Sequence, residues 1–304
     1  MGTGGKRART LRVQSVLYGN DPAHVRLSLA HLERAADLAI AAGELASVRV
    51  VYGDCSPDPV FGEDDLERIS SSAVAVSRVE HRFFGENLGS ARGHNRLLED
   101  AIEDLVLIMN PDVMLAPDTL LELLRPLRHA NTGLVEARQL PVEHPKDYDP
   151  ISGDTGWAST ACAMVPRKVF QEQGGFDADS FFLYCDDVDF SWRLRLAGLR
   201  VIFQPSAVAF HDKRLTEDGR WNAGSAERYY SAEAALFLTY KYSRNDLAEN
   251  LVETFSNSGL DYLKRAANTF VERRASGRVP PQLDPDHRVS EFKDGFYARH
   301  RFAL

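Results

Sequence analysis

The sequence predicts an α/β domain on a mostly parallel sheet, followed by a helical extension. From Val13 to about Leu134, short β-rich runs alternate with helical patterns, which is the signature of βαβ units. Beyond roughly Leu215 only long helical patterns occur. The length of 304 residues suits one main domain with an appended piece. We therefore expect three parts, namely a flexible tail, the α/β domain and the helical extension, at residues 1–10, 11–214 and 215–304.

The first half of the α/β domain is predicted from its apolar runs. A helix follows the first strand, with apolar residues at helical spacing, and Gly43 ends it. The run Leu105 to Met109 is short and wholly apolar, as in a buried central strand. Each predicted strand ends in polar residues, and the strands are Val13 to Leu17, Val48 to Tyr52, Val79 to Phe84 and Leu105 to Met109.

The second half begins after a segment rich in Pro, Asp and His, from Leu140 to Thr155, which we predict to be a long surface loop able to cover a site. Two helices and three strands are expected after it, near residues 161–165, 168–173, 186–197, 201–203 and 207–210. The segment that starts at Val279-Pro280-Pro281 is expected to be poorly ordered, or ordered only against a partner.

Composition excludes several classes of protein. The 36 basic and 44 acidic residues give a net charge of −8, which disfavours general binding to nucleic acid. Cys55, Cys162 and Cys185 form no CxxC pair, which fits a reducing compartment and disfavours zinc. No apolar run approaches the roughly 18 residues of a membrane span. We expect a cytoplasmic protein without a transmembrane segment, with peripheral contact to the inner face of the membrane as an option.

Polar loops at the carboxyl ends of the strands are where ligands bind in open α/β sheets. Three such loops stand out, at Gly19-Asn20-Asp21, Gly53-Asp54 and Asn110-Pro111-Asp112. Asp112 follows a buried strand, and a carboxylate there suits Mg²⁺ or Mn²⁺, which bind oxygen ligands. The alternative is a simple turn, since Asn, Pro and Asp all favour turns.

Three further segments are candidates for chemistry. Asp186, Asp187 and Asp189 open a predicted helix, and although one of them can cap it, the cluster exceeds what a cap needs. His211 follows the apolar strand AVAF, where a structural role is the alternative. The glycine-rich loop from Glu86 to Asn95 precedes a helix and suits a diphosphate, although such a loop alone is weak evidence.

Together, and in this order, these segments resemble inverting glycosyltransferase family 2, whose members have the Rossmann-like GT-A fold of one mixed sheet. The motifs that carry the resemblance are VQSVLYGND, ENLGSARGHN, NPD after LVLIM, the block GGFDADSFFLYCDDVDFSWRLRLAGLRV, and AVAFH. They cover Val13 to His211, about two-thirds of the chain. Within this family, bacterial rhamnosyltransferases and galactofuranosyltransferases resemble the sequence most in their overall pattern of motifs.

The resemblance implies a role for each site residue. Asp112 and His211 hold Mn²⁺ or Mg²⁺, and Asp187 is the catalytic base with Asp186 beside it. The donor, a UDP- or dTDP-linked sugar, is expected at Tyr18, Asn20, Asp54, Asn87, Gly89, Arg92, Asn95 and Asn110. The acceptor, a glycan or lipid-linked glycan of a bacterial cell-surface polysaccharide, is expected at Asp186 and at Trp157, whose ring is a candidate sugar platform although a lone Trp is more often core.

Departures from the family pattern affect the donor. Relatives commonly carry an Asp-Asn pair after the second strand where this chain has Gly53-Asp54, and the metal triplet begins with Asn110 rather than Asp. Two alternative functions stay open, a sugar nucleotidyltransferase and an inactive sugar-nucleotide or glycan-binding module. The helical extension is a candidate for homo-oligomer formation or for contact with a lipid-linked acceptor.

Overall fold

The computed structural model describes residues 7–72, 74–212, 223–293 and 296–297. Within them the strands form one mixed sheet of eight, in the order β3-β2-β1-β4-β7-β6-β8-β5. The strands are β1 (Arg9–Leu17), β2 (Leu45–Asp54), β3 (Val76–Phe83), β4 (Leu105–Met109), β5 (Val113–Leu115), β6 (Thr132–Leu140), β7 (Cys162–Pro166) and β8 (Arg200–His211). β1 to β4 are parallel, whereas β7 and β5 each run antiparallel to their neighbours.

The helices of the α/β domain cover the sheet on both faces. They are α1 (Pro22–Ala41), α2 (Glu63–Ser72), α3 (Gly89–Leu98), α4 (Thr119–Leu124), α5 (Arg167–Glu172) and α6 (Asp186–Leu196). Asp21 caps α1 by accepting a hydrogen bond from the Ala23 amide at 2.8 Å, and Pro22 follows it at the first helical position, where its missing N–H costs nothing. All five residues of β4 are buried, as expected of a central strand.

The extension contains α7 (Ser225–Lys241), α8 (Asn245–Ser256) and α9 (Asp261–Ala275). It packs against α6 rather than standing apart from the sheet domain. The Trp192 ring meets that of Tyr242 edge-to-face at 4.6 Å, and Lys241 Nζ lies 2.6 Å from an Asp189 carboxylate oxygen. Helical structure in this part of the chain was predicted, but its shared core with α6 was not.

Three expectations need correction. β1 begins at Arg9, inside the predicted flexible tail, of which residues 1–6 lie outside the described part of the chain. The two short strands predicted at 201–203 and 207–210 are one strand, β8, whose pairing with β6 shifts register between Ala137 and Arg138. Residues 281–293 are packed rather than poorly ordered, because the Asp284 carboxylate accepts hydrogen bonds from the Arg288, Val289 and Ser290 amides.

Among the described residues, no helix combines the length and the apolar character that crossing a bilayer requires.

Candidate active site

Antiparallel pairing of β5 with β8 brings the two predicted metal ligands together. Val113, next to Asp112, is the pairing partner of His211. As a result, His211 Nε2 lies 3.4 Å from Asp112 Oδ1. The side chains are 13% and 30% exposed, respectively, so solvent or a ligand can reach the space between them. Asn110, the first residue of the NPD triplet, also faces this space, with its Nδ2 3.5 Å from His211 Nε2.

The other nitrogen of His211 has a partner that the sequence did not reveal. Nδ1 lies 2.8 Å from Gln139 Oε1, on the neighbouring strand β6. Because Gln Oε1 can only accept, Nδ1 carries a proton in this arrangement, and a neutral ring then presents its Nε2 lone pair toward Asp112. A lone pair and a carboxylate facing each other repel unless a proton or a cation lies between them. The pair is therefore suited to binding a cation.

The side chains fit a divalent cation whose shell is only partly protein. The described residues contain no group of three or more His, Cys, Asp and Glu side chains placed to hold a metal. Asp112 and His211 supply two ligands of the kinds that Mn²⁺ accepts. Magnesium likewise takes one or two carboxylates and completes its shell with water and phosphate oxygens. Such a site depends on the phosphates of a bound ligand.

The acidic pair stands at the first turn of α6, after an unusual backbone. Tyr184 and Cys185 both have positive φ, at 69° and 58°, a region that costs non-glycine residues energy and is enriched at functional sites. Asp186 is 4% exposed, and its Oδ2 is buried with no hydrogen-bond partner in the described structure. Burial, followed by the neighbouring charge of Asp187, raises the pKa of Asp186 to about 7.

Asp187 is more exposed than Asp186, and its backbone links α6 to the sheet. The Ser191 hydroxyl donates to the Asp187 carbonyl at 2.7 Å and accepts from the Ala158 amide at 3.0 Å. Three residues after Ala158, the Ala161 carbonyl accepts from the Asn110 amide at 2.8 Å. The short segment 158–161 therefore connects the acidic pair to the NPD triplet.

The glycine-rich loop touches the acidic turn directly. Gly89 has a φ of 69°, and a Cβ at this position would collide with the Phe182 carbonyl oxygen. The next amide, of Ser90, donates to that same carbonyl at 3.0 Å, and the Ser90 side chain is hydrogen-bonded to Asp186. Only glycine allows this close approach. Asn87 supports the loop, since its Oδ1 accepts from the Gly89 amide at 3.2 Å.

Other predicted donor residues lie at the strand ends. Tyr18 is 55% exposed after β1, and its amide donates to Asn20 Oδ1 at 2.8 Å. Asp54, at the end of β2, is fully buried and accepts from the Ser56 and Val60 amides. Burial alone would raise its pKa, but hydrogen bonds from these residues and from His81 lower the pKa overall. Asp54 therefore shapes the loop, and its contact with a nucleotide stays a prediction.

Arg92 and Asn95, on α3, have different environments. Arg92 is about half exposed, and its Nη2 pairs with Asp179 Oδ1 at 2.7 Å. The side-chain amide of Asn95 makes two hydrogen bonds to the Phe176 backbone. Its Nδ2 donates to the Phe176 carbonyl at 2.7 Å, and its Oδ1 accepts from the Phe176 amide at 2.8 Å. Asn95 thus anchors the GGFD segment to α3, and Arg92 is the more accessible of the two for a ligand.

Trp157 is not an open platform. Its ring is 6% exposed, with Lys146 Nζ 4.1 Å from the ring centroid and the Tyr297 ring edge-to-face at 5.1 Å. Lys146 in turn pairs with the fully buried Glu136. These contacts make Trp157 part of a packed cluster, so its contact with an acceptor sugar stays a prediction that requires the cluster to open.

Sequence reasoning missed Gln139 and Ser90. Gln139 belongs to no motif, and only the pairing of β6 with β8 places it beside His211. Ser90 lies within the glycine-rich loop, and a serine near the start of a helix is typical of an ordinary N-cap. The structure thus forms two groups, Asn110 with Asp112 and His211, and the glycine-rich loop with Asp186.

No protein-family model matches the sequence. The chain is 30% identical over 176 residues to the N-acetylglucosaminyl-diphospho-decaprenol L-rhamnosyltransferase of Mycobacterium tuberculosis, covering 42% of this chain and 57% of that protein. It is 28% identical over 174 residues to rhamnosyltransferase WbbL of Escherichia coli, covering 45% of this chain and 65% of that protein. The alignments span less than two-thirds of each relative.

Solved structures share the fold. One is the mannosyltransferase PcManGT from Pyrobaculum calidifontis in complex with GDP-Man and Mn²⁺, with a TM-score of 0.56, 17% identity, and coverage of 90% of this chain and 83% of that one. Another is GalNAc-T7 with UDP, GalNAc and Mn²⁺, with a TM-score of 0.61, 12% identity, and coverage of 89% and 57%. The fold is the predicted GT-A fold, and the predicted resemblance to glycosyltransferases is confirmed.

Proposed function

We propose that this chain is an inverting glycosyltransferase that moves a sugar from a nucleotide-diphosphate donor to an acceptor hydroxyl, with Mn²⁺ or Mg²⁺. The observation that carries the proposal is the Asp112–His211 pair, 3.4 Å apart at one edge of a GT-A sheet, with the other nitrogen of the imidazole hydrogen-bonded to Gln139. The rhamnosyltransferase relatives and the Mn²⁺ in two structures of the same fold support it.

The donor is a UDP- or dTDP-linked sugar, and the names of the relatives favour rhamnose. Its nucleotide contacts the strand-end residues Tyr18, Asn20 and Asp54. Its diphosphate lies at the start of α3, where the half-exposed Arg92 supplies a cation. Asp112 and His211 would hold the divalent cation, which would offset negative charge on the departing diphosphate.

The two neighbouring carboxyls have different tasks. Asp186 is the buried member, with a pKa raised to about 7, so it holds a proton near neutral pH. Asp187 is the more exposed member of the pair. Asp187 removes the proton from the acceptor hydroxyl as that oxygen attacks the anomeric carbon. The contact of Asp186 with the acceptor requires the turn before α6 to open, because its carboxyl oxygen without a partner in the described structure is buried.

The acceptor is a lipid-linked glycan, by analogy with the decaprenol-linked saccharide in the name of one relative. We further propose that the protein acts in the cytoplasm, at the inner face of the membrane. The helices α7 to α9 then serve contact with the lipid-linked acceptor or with a second copy of the chain.

Replacing the base tests the proposal. Asp187→Asn should keep donor binding while turnover falls by at least about a hundredfold, the usual scale of general base catalysis. Turnover is measured as nucleotide diphosphate released in the presence of acceptor, and binding as a thermal shift with UDP, dTDP or GDP and Mn²⁺.

Asp246→Asn is the matched control, because Asp246 is an exposed carboxylate on α8 that pairs with Arg244. It should leave both quantities unchanged. Turnover of Asp187→Asn equal to that of the wild type would remove Asp187 from its role. Nucleotide binding without release of diphosphate from any donor would favour an inactive binding module instead.

A further inference from the structure

Gln139 is a buried polar residue on β6 with one clear partner. It is fully buried, and its register partner on β8 is Ala209, two residues before His211. Its Oε1 lies 2.8 Å from His211 Nδ1. Its Nε2 is buried and has no hydrogen-bond partner in the described part of the chain. Among the described residues, His211 is therefore the only hydrogen-bond partner of this amide side chain.

The surroundings hold Gln139 in place through its backbone. The Gln139 amide N–H donates to Glu143 Oε2 at 2.6 Å, and Glu143 Oε1 accepts from the His144 amide at 2.7 Å. The start of the 140–155 loop is thus folded back on the end of β6. A side chain on a strand, fixed in this way, can set the orientation of a neighbouring ring more tightly than one on a free loop.

We propose that Gln139 is the positioning residue that fixes the His211 ring as a metal ligand. Its Oε1 accepts a hydrogen bond from the Nδ1–H group, so that the Nε2 lone pair points toward Asp112. A group that is hydrogen-bonded to the ring nitrogen that does not bind the metal determines both the tautomer and the orientation of a ligand histidine. The inference rests on the proposed cation site at Asp112 and His211, and it adds the residue on which the geometry of that site depends.

The test uses two substitutions of Gln139. If Gln139 positions His211, only the variant without an acceptor should lose Mn²⁺ affinity, whereas a role in packing alone would not separate the two variants in this way. Gln139→Met keeps the volume and removes the acceptor, whereas Gln139→Glu keeps an acceptor and adds a buried charge. Mn²⁺ binding is measured by electron paramagnetic resonance of free Mn²⁺ during titration, with UDP present and no acceptor. If Gln139 positions His211, Gln139→Met binds Mn²⁺ about 10- to 100-fold more weakly, and Gln139→Glu binds it as tightly as the wild type or more tightly.

A second measurement does not depend on metal. In protein labelled with ¹⁵N-histidine, the His211 signals are assigned by their loss in His211→Ala. The wild type should show the tautomer protonated at Nδ1, and Gln139→Met a mixture of tautomers. This readout decides the question with Gln139→Met alone, even where the charge of Gln139→Glu prevents folding.

Gln14→Met is the matched control, because Gln14 is also fully buried and its Nε2 lies 3.2 Å from the ring nitrogen of another histidine, His94. It should bind Mn²⁺ as the wild type does. The inference is overturned if Gln139→Met binds Mn²⁺ within about twofold of the wild type, or if Gln139→Glu folds and is weakened as much as Gln139→Met. Absence of Mn²⁺ binding by the wild type would instead contradict the proposed cation site itself.

Discussion

Asp186 and Asp189 stand three residues apart on α6, and both are buried, yet their surroundings differ. The Asp189 carboxylate receives Arg193 Nε at 2.8 Å, Lys241 Nζ at 2.6 Å and the Tyr242 hydroxyl at 3.0 Å. Asp186 has an oxygen without a partner in the described structure and a pKa raised to about 7. A satisfied carboxylate holds the fold together, whereas an incompletely satisfied one keeps the capacity to bind a proton or a further donor.

The same contrast separates Asp54 from Asp112. Asp54 is fully buried, and protein donors occupy both of its oxygens. Asp112 is 30% exposed and faces Nε2 of His211 at 3.4 Å. Burial alone therefore does not identify functional carboxylates in this protein, and the completeness of their hydrogen bonding is the better guide.

Removing Asp189 should have the largest effect on stability. Asp189→Ala leaves Lys241 buried near Asp177 alone and leaves Arg193 without its carboxylate. The expected loss is about 3–5 kcal/mol of unfolding free energy, as for other broken buried pairs. Urea unfolding measures it. Asp246→Ala, which breaks the exposed pair with Arg244, should cost no more than about 1 kcal/mol. Equal losses in the two variants would show that Asp189 does not tie α7 to α6.

Asp186→Asn should change how stability depends on pH. The folded protein keeps the Asp186 proton up to a pKa of about 7, whereas the unfolded chain releases it near the ordinary aspartate pKa of 3.8. The wild type therefore loses stability from this group as pH rises through that window, by up to about 4 kcal/mol, and the amide variant does not. Urea unfolding measures the unfolding free energy of both proteins at pH 5 and pH 8. The value for the variant minus the value for the wild type should be larger at pH 8. A constant difference between them would mean that Asp186 is ionised throughout.

Gly89→Ala should disturb the contact between the glycine-rich loop and the acidic turn. The substitution adds a Cβ against the Phe182 carbonyl and requires alanine at positive φ. We expect a loss of about 2–3 kcal/mol of unfolding free energy, together with weaker nucleotide binding. Gly43→Ala is the control, because Gly43 has a similar φ of 71° and no atom within 4 Å of a Cβ, and it should cost only about 1–2 kcal/mol. Losses of the same size would argue against a tight contact at Gly89.

Arg92→Ala should have the smallest effect on stability and should mainly weaken nucleotide binding. The pair with Asp179 is exposed, so unfolding free energy should change by less than about 1 kcal/mol. If Arg92 contacts the donor diphosphate, the dissociation constant for UDP or dTDP should rise about tenfold, the scale of a charged hydrogen bond. Isothermal titration calorimetry with Mn²⁺ present measures it, and unchanged affinity would place the diphosphate away from Arg92.

The parts of the structure that sequence reasoning predicted well are those with strong local signals. The apolar run Leu105 to Met109 is β4, and the helix expected to start at Asp186 starts there. The three-residue β5 has no periodicity to detect, and it is defined by pairing with a distant strand. β6 was not predicted as a strand, and its last residue, Leu140, begins the segment whose Pro and Asp residues predict a loop.

The site was predictable where a carboxylate follows a strand or opens a helix, as at Asp112 and Asp186. Gln139 was not, because a polar residue on a buried strand carries no signal until its cross-strand neighbour is known. The packing of residues 281–293 was missed for a related reason. Their amides are satisfied by Asp284, an acidic residue that composition alone assigns to a charged tail.

The dependence of sugar transfer on a divalent cation tests the Asp112–His211 site most directly. Nucleotide diphosphate released from UDP- and dTDP-sugars in the presence of acceptor is measured in EDTA and again after Mn²⁺ is restored, for the wild type and for Asp112→Asn. We predict that EDTA abolishes transfer, that Mn²⁺ restores it to the wild type, and that Asp112→Asn stays at least about a hundredfold lower. Full activity in EDTA, or an Asp112→Asn variant that Mn²⁺ restores to wild-type turnover, would contradict the assignment.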